Sequence, residues 1–375
     1  MRCVVVKPST EAALHKDMLS ELIASSLNSF IDSKYSVEAK DDLIEINTLD
    51  TVEVAEVISR FSGVAYAALA EKVSPDFNAV LKVVVDAGEK GIFEGERFSV
   101  KVEAQPNLGF KASDLQSLAI STLIGKVSGR GARPDEKTPN KVIYALISKE
   151  SGYVFTHRYL GFGGLPSGTS GSCLLLVEPT LRSLVGGWLM QRAGFTPTYL
   201  VTNQPFCEKA LFLSIEVLSL LRRCVSKRSL RLIYVNMAKH AHITELEPSF
   251  SWVDLASNLG VKAAAKEEVS AFSMPLDLGD RSLGRVFEGT RREDVNLFSP
   301  SSFLTDEEIV VYAKKIGLQR TLPLDVGKVR LSVLDSSGKP LTDLGEAAEH
   351  LLSGALNLEL KEGVLDVHKL TDALS

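Results

Sequence analysis

The sequence predicts an α/β protein assembled in successive parts, the last of them a parallel sheet covered by helices. Three patterns carry that prediction. Residues 2–69 read as strand, helix, strand, strand, helix, strand. Residues 97–104, RFSVKVEA, alternate strictly between polar and apolar and mark a strand of a second unit. From Cys173 onward, short apolar strands are separated by helical stretches, the pattern of a sheet buried on both faces. A chain of 375 residues has room for two or three domains with ordinary cores.

The first strand is RCVVVK, residues 2–7. A helix over Ala12–Ile31 follows, with Leu14, Met18, Leu22 and Ile23 recurring on one face. Tyr35–Ala39 and Leu43–Ile46 form a strand pair. Asp50–Phe61 is a helix with Asp50 or Thr51 at its N-cap, and Val64–Leu69 closes the unit as a strand. This is the ferredoxin-like order. Asp76–Ala87 is helical, and Ser113–Lys126 is an amphipathic helix capped by Ser113, with Leu115, Leu118, Ile120 and Leu123 as its apolar positions. Arg130–Asn140 is polar and holds two prolines, so it is a loop or an exposed edge. Val142–Ser148 and Gly152–Tyr159 form a hairpin, and the glycine-rich run 161–171 is a linker. Cys173–Val177 is a strand, Leu184–Ala193 a helix stopped by Gly194, and Thr198–Val201 a strand. Glu208–Cys224 is a helix and Arg231–Val235 a strand. Asp306–Ile316 is a helix with Thr305 at its N-cap and Glu308 three residues on, a capping box. Glu346–Leu356 is a late helix.

A hydrophobic share of 45% and a charged share of 24% are those of a soluble globular protein. No apolar run approaches the about 20 residues a membrane span needs. The opening MRCVVVKPST has no signal-like apolar core, so a cytoplasmic protein without membrane contact is expected. Cys3, Cys173, Cys207 and Cys224 are scattered without a CxxC pair and read as reduced, buried thiols. The net charge of −5 excludes a wholly basic nucleic-acid binder. The charge is uneven, however. Residues 1–75 hold seven Lys/Arg against twelve Asp/Glu, whereas residues 97–158 hold ten against five. Residues 222–242 hold six basic residues and no acid. A basic face on an acidic protein is compatible with RNA, and equally with a solvated lysine-rich surface.

In an open parallel sheet, ligands bind beyond the carboxyl ends of the strands, where helix N-termini point. The turn after Cys173–Val177, Glu178-Pro179-Thr180-Leu181-Arg182-Ser183, occupies such a place. A phosphate loop there needs glycines, so that backbone N–H groups approach the oxygens, and often a carboxylate for a metal ion. Other catalytic sets are not visible. Cys207 and Cys224 are too far apart for one helical face, His240 and His242 read as surface or packing histidines, and His157 reads as structural or as a minor RNA contact. No catalytic residue and no metal site are therefore predicted.

Gly163-Gly164-Leu165-Pro166-Ser167-Gly168-Thr169-Ser170-Gly171, followed by an apolar strand, resembles the domain junction of the tRNA 4-thiouridine synthetase (ThiI) family. Gly152–Tyr159, with Tyr153 and Phe155, resembles the last hairpin of that family's THUMP domain. Ser282-Leu283-Gly284 resembles the core of a later motif, and residues 303–309 with 313–317 resemble a helix near the end of the PP-loop domain. The resemblance covers residues 1 to about 330. It implies a ferredoxin-like α+β domain over 1–72, a THUMP α/β domain over 73–162, and a Rossmann-like parallel-sheet domain of PP-loop type over 163–375.

The family loop reads Ser-Gly-Gly-x-Asp-Ser. Laid on this chain it falls on residues 178–183, and only Ser183 matches. Pro179 removes a backbone donor, Glu178 would repel a phosphate, and Arg182 replaces a carboxylate that would help hold Mg²⁺. No cysteine follows Cys224 to carry sulfur. The resemblance thus marks Leu176, Val177, Glu178, Thr180, Arg182, Ser183 and Gly284 as positions of a degenerate nucleotide site, with no cofactor expected. It marks Lys101, Lys111, Lys126, Arg130, Arg133, Lys137 and Lys141 as RNA contacts, the partner being the acceptor end of tRNA. The function so implied is a tRNA-binding accessory factor in tRNA modification, acting with another modification protein. A divergent sulfurtransferase still using ATP and Mg²⁺ and active in tRNA thiolation is the alternative, and an interaction protein without an RNA role a second one.

Overall fold

The computed structural model describes residues 2–27, 34–204, 209–224, 230–244, 249–276, 294–319, 322–323, 330–360 and 367–374. The chain divides into two compact units, residues 1–163 and 164–375. Ser282-Leu283-Gly284, matched above to a later motif, lies outside the described residues, as does Cys207.

The first unit contains β1 (Arg2–Pro8), α1 (Lys16–Leu27), β2 (Ser36–Lys40), β3 (Leu43–Asn47), α2 (Thr51–Ser59), β4 (Val64–Val73), α3 (Phe77–Gly91), β5 (Arg97–Ala104), α4 (Ala112–Val127), β6 (Arg133–Pro134), β7 (Lys141–Ile147), β8 (Gly152–Phe155) and β9 (Tyr159–Leu160). All nine strands share one sheet, in the order β2-β3-β1-β4-β8-β7-β5-β6, with β9 paired to β4. β4 runs ten residues, long enough to pair with β1 along its length and with β8 at its far end. The ferredoxin-like half and the half carrying β5–β8 therefore meet as one sheet.

Each half has its own core. Val4, Val6, Ile44 and Ile46 of the sheet pack with Leu19, Ile23, Val54 and Ile58 of α1 and α2. Phe98, Val100, Ile143 and Ala145 pack with Val80, Val84, Leu115, Ala119 and Leu123 of α3 and α4. Two details differ from the sequence reading. The helix expected from Ala12 begins at Lys16, and Leu14, assigned to its apolar face, is 94% exposed, because residues 13–15 form a tighter 3₁₀ turn that rotates it outward. The fourth helix starts one residue before Ser113, so Lys111 stands at its N-cap; Leu118 is exposed, and Ala119 and Val127 complete the buried stripe.

The second unit contains β10 (Ser172–Val177), α5 (Leu181–Arg192), β11 (Thr196–Thr202), α6 (Ala210–Arg222), β12 (Leu230–Val235), β13 (Ala241–Ile243), β14 (Phe250–Ser251), α7 (Trp252–Lys266), β15 (Ala271–Ser273), β16 (Asn296–Phe298), α8 (Asp306–Ile316), β17 (Arg330–Val333), α9 (Leu344–Ser353), β18 (Leu356–Leu360) and α10 (Val367–Leu374). Its main sheet has the order β16-β15-β10-β11-β12-β18. The five strands from β16 to β12 are parallel, and β18 closes the edge antiparallel to β12. β13, β17 and β14 form a second, small sheet. β10 is buried throughout except at Ser172, as expected of a central strand covered on both faces. One core joins Leu174, Leu176, Leu200 and Ile233 to Trp252, Leu255 and Leu259 of α7 and to Ala347 and Leu351 of α9. Elsewhere α5 packs on α6 and α8, and α6 on α10.

The linker that opens this unit depends on backbone freedom at Gly164. Its φ of +83° is left-handed, and a Cβ there would lie 2.1 Å from the Arg192 carbonyl oxygen. Leu165 donates its backbone N–H to that oxygen, and Gly168 to the Gly194 oxygen, so the glycine-rich segment is clamped to the end of α5. The Thr305 capping box of α8 is present in full. The helix expected over Glu346–Leu356 ends at Ser353, and β18 takes the residues that follow. Among the described residues, no helix is long and apolar enough to cross a membrane.

A buried ionic network ties β3 to β4 and β8. Glu45 is 1% exposed and accepts hydrogen bonds from Lys72 Nζ (2.7 Å), Asn47 Nδ2 (3.0 Å) and the Tyr153 hydroxyl. Burial alone would raise its carboxyl group. The bonds from Lys72, Tyr153 and Asn47, with the Lys72 charge, outweigh burial and hold it below the ordinary value of 4.5. The network therefore stabilises the fold fully above that value and is lost as pH falls through the lower, folded one. Glu45→Gln should cost about 2 kcal/mol at neutral pH, read as a lower urea midpoint. That cost should shrink in acid as the wild-type carboxylate takes up its proton.

Candidate nucleotide and nucleic-acid sites

The turn after β10 is shorter than the sequence implied, because α5 begins at Leu181 instead of Leu184. Thr180, at φ −131° and ψ 155°, is the N-cap, and its hydroxyl accepts from the Ser183 backbone N–H at 3.1 Å. Threonine favours this role over a helix interior, and Pro179 just before it fixes the approach of the chain. Only Glu178 and Pro179 separate the strand from the cap.

Several of the turn's hydrogen-bonding groups are used within the protein, whereas Arg182 Nε is buried without a partner. The Glu178 backbone N–H donates to Ser183 Oγ at 2.9 Å, and that hydroxyl donates to the Leu176 carbonyl at 3.2 Å. The Leu181 N–H donates to the Pro323 carbonyl at 2.8 Å, and the Leu184 N–H to the Thr180 carbonyl at 3.2 Å. Leu176, Val177, Thr180 and Ser183 are all buried. The side chain of Glu178 is buried too and accepts from the Trp252 indole N–H at 2.6 Å. Trp252 is placed for this as the first residue of α7, whose N-cap Ser251 accepts from the Asp254 N–H. Arg182 leaves the turn, donating to the Ser301 carbonyl at 3.2 Å and the Asp306 carboxylate at 2.6 Å. Asp306 is largely solvated, which limits that ion pair to less than about 1 kcal/mol. Gly284 lies outside the described residues.

Beside the turn, the carboxyl ends of β11 and β12 carry polar groups that sequence reasoning missed. Thr202 Oγ1, both amide atoms of Gln204, and Asn236 Oδ1 are buried without a hydrogen-bond partner. Thr202 is fully buried and Gln204 is 2% exposed. The one signal for them in the sequence is position, immediately after apolar strands. Among the described residues no group of three or more His, Cys, Asp or Glu could hold a metal ion. His240 instead meets the ring of His350 edge to face, at 5.0 Å between centroids. His157, read within a strand, lies between β8 and β9.

The seven basic candidates all lie in the first unit, and the sheet gathers some of them. Arg133 pairs with Arg97, and Lys141 with Phe98, at the start of β5. Lys126 and Arg130 sit at the end of α4. Lys126 bonds the Glu89 carboxylate, and Arg130 donates to the Glu89 and Ile92 carbonyls at 2.7 and 3.1 Å. Lys137 is exposed on the loop that Arg97 holds through Thr138 (2.6 Å) and Asp135. Lys101 lies further along β5, and Lys111 stands at the opposite end of α4, about 20 Å from Lys126 at 1.5 Å per residue. Phe93, 64% exposed, joins the gathered group, since Arg130 holds the carbonyl of Ile92 beside it.

Cys3, Cys173 and Cys224 are buried and unpaired with one another. Burial pushes the Cys173 thiol up to about 12; burial and then the Glu45 charge do the same for Cys3. Neither supplies a thiolate at neutral pH.

No protein-family model matches the chain. Among the relatives named "Probable tRNA sulfurtransferase" are two that show the extent of the match. The one from Methanosarcina acetivorans is 27% identical over 203 residues, covering 52% of this chain and 49% of that protein. The one from Thermoanaerobacter sp. is 23% identical over 301 residues, covering 78% and 74%. The chain spans about half the length of the curated relatives it matches first. Among solved structures, a 4-thiouridine synthetase–RNA complex with bound ATP superposes with a TM-score of 0.68 at 19% identity, covering 96% of this chain and all of that one. PH1313 from Pyrococcus horikoshii gives 0.64 at 18%, covering 85% of this chain.

Trp252→Phe should remove the donor from a buried carboxylate and cost about 2–3 kcal/mol, measured by urea unfolding. Iodoacetamide at neutral pH should leave Cys3 and Cys173 unmodified in the folded chain and label both in urea, as read by peptide mass mapping.

Proposed function

We propose that the chain is a divergent member of the tRNA 4-thiouridine synthetase family, a tRNA-binding protein whose nucleotide turn no longer takes ATP. It acts as an accessory factor in tRNA modification. We assign residues 1–72 to a ferredoxin-like domain, 73–162 to a THUMP domain and 163–375 to a PP-loop-type domain.

One observation carries this reading: several of the donors that a phosphate would need are held by acceptors within the protein. Four backbone N–H groups, of Glu178, Leu181, Ser183 and Leu184, already have protein acceptors. Pro179 has no N–H to give. A bound triphosphate would also face the Glu178 carboxylate, two residues before the positive end of α5. Arg182, where the family has an aspartate, is directed to Asp306 and Ser301. The residues of the turn do not fit an ATP–Mg²⁺ complex.

RNA binding rests on the first unit. Arg130, Arg133, Lys137 and Lys141 present positive charge at one end of the sheet, where it would neutralise backbone phosphates without reading sequence. The ligand is tRNA, contacted at its acceptor end. The second reading, a sulfurtransferase still using ATP, is favoured only by the unpartnered polar atoms of Thr202, Gln204 and Asn236 beside the turn.

Titration calorimetry with ATP–Mg²⁺ should give no saturable heat; saturable binding that Ser183→Ala weakens would favour the second reading. Binding of tRNA should fall steeply with salt. The pair Arg133→Glu and Lys141→Glu should reduce the slope of log K against log salt by about 1–2. No binding at low salt would remove the RNA role.

A further inference from the structure

At the amino-terminal ends of β10, β11 and β12, the sheet edge opposite the Glu178 turn, lies a cavity of about 290 Å³. Arg222 and Arg231 reach it from α6 and β12, and Glu267 and Glu268 from the connection between α7 and β15. Pro197 and Leu230 give it an apolar portion. The approach of Arg231 Nη1 to Glu267 is 3.9 Å, too long for a hydrogen bond, and the Arg231 side chain is 69% exposed. The two charges share the cavity without closing it.

The acidic side is built against local preference. α7 ends in a closure in which the Glu268 N–H donates to the Ala265 carbonyl (3.1 Å) and the Val269 N–H to the Ala264 carbonyl (3.0 Å). The residue at the left-handed position of that closure is ordinarily glycine. Here it is Glu268, at φ +55°. Two successive carboxylates also stand at the negative end of the α7 dipole, where cations are favoured. Both features are locally unfavourable; Lys266 in the last turn and Arg231 near Glu267 offset the second in part, and a cation held between Glu267 and Glu268 would offset it further.

The basic side narrows the ligand. Guanidinium groups match carboxylates in fork geometry. A phosphate ester would meet the two glutamates, and a divalent cation the two arginines. A molecule with one carboxylate and one ammonium close together meets neither penalty. The cavity is at the lower limit of ligand pockets, suited to a small molecule with a short apolar part. We propose that this cleft binds a free α-amino acid, its carboxylate toward Arg222 and Arg231 and its ammonium toward Glu267 and Glu268.

Thermal unfolding of the full chain with the standard L-amino acids, each offered singly at millimolar concentration, tests this. At least one should raise Tm in a saturable way, whereas its carboxamide and its N-acetyl derivative should not. Arg231→Ala should weaken the effect about tenfold or more. Glu268→Gly should raise Tm without ligand by on the order of 2 °C, by relieving the left-handed position, and should abolish the amino-acid effect. A rise produced equally by the blocked derivatives, a rise retained in both variants, or no rise with any amino acid would overturn the proposal.

Discussion

The start of α5 is closed by the chain's own side chains, and much of the second unit is arranged around that closure. Thr180 caps the helix, Ser183 returns its hydroxyl to the strand, and Trp252 holds the Glu178 carboxylate. A helix N-terminus left open at the carboxyl edge of a parallel sheet is an anion site. Here the N–H groups of Glu178, Leu181, Ser183 and Leu184 carry intramolecular bonds, worth about 1 kcal/mol each against water and more if one partner is removed. These bonds stabilise the turn locally and couple β10 to α7 and, through Pro323 and Ser301, to later segments of the chain.

The surroundings of the turn are held by packing. β10 packs against α5, α6 and α7, and α9 packs in turn on α7. Trp188 of α5 is 1% exposed and lies against Tyr312 of α8. The glycine-rich linker is bound to the end of α5 by backbone bonds that need Gly164. The constraint on these residues is packing, and packing persists whether or not phosphate is bound.

Much of the fold was legible because its signals are local. Alternation fixed β5, the capping box fixed α8, and apolar runs between turn residues fixed β10 to β12. The misreadings came where the local pattern was ambiguous. Leu14 looked like part of a helical face but sits on a 3₁₀ turn, and α5 started early because Thr180 caps it more effectively than the alignment with a phosphate loop allowed. β13, β14, β17 and β18 are two to five residues long and take their partners from distant parts of the chain, so no short-range pattern marks them. In the site, the identity of residues 178–183 was readable, but their partners Trp252, Ser301 and Asp306 were not, since those contacts span 74 to 124 positions. The same holds for the amino-edge cleft, whose charges come from α6, β12 and the end of α7.

The central claim is that the closed turn excludes ATP chemistry. The most direct measurement is release of AMP and pyrophosphate by the purified full chain, supplied with ATP, Mg²⁺, unmodified tRNA and a sulfur donor. The account predicts no release above that of a tRNA-only control. Pyrophosphate formation that depends on the chain and is lost in Ser183→Ala would contradict it.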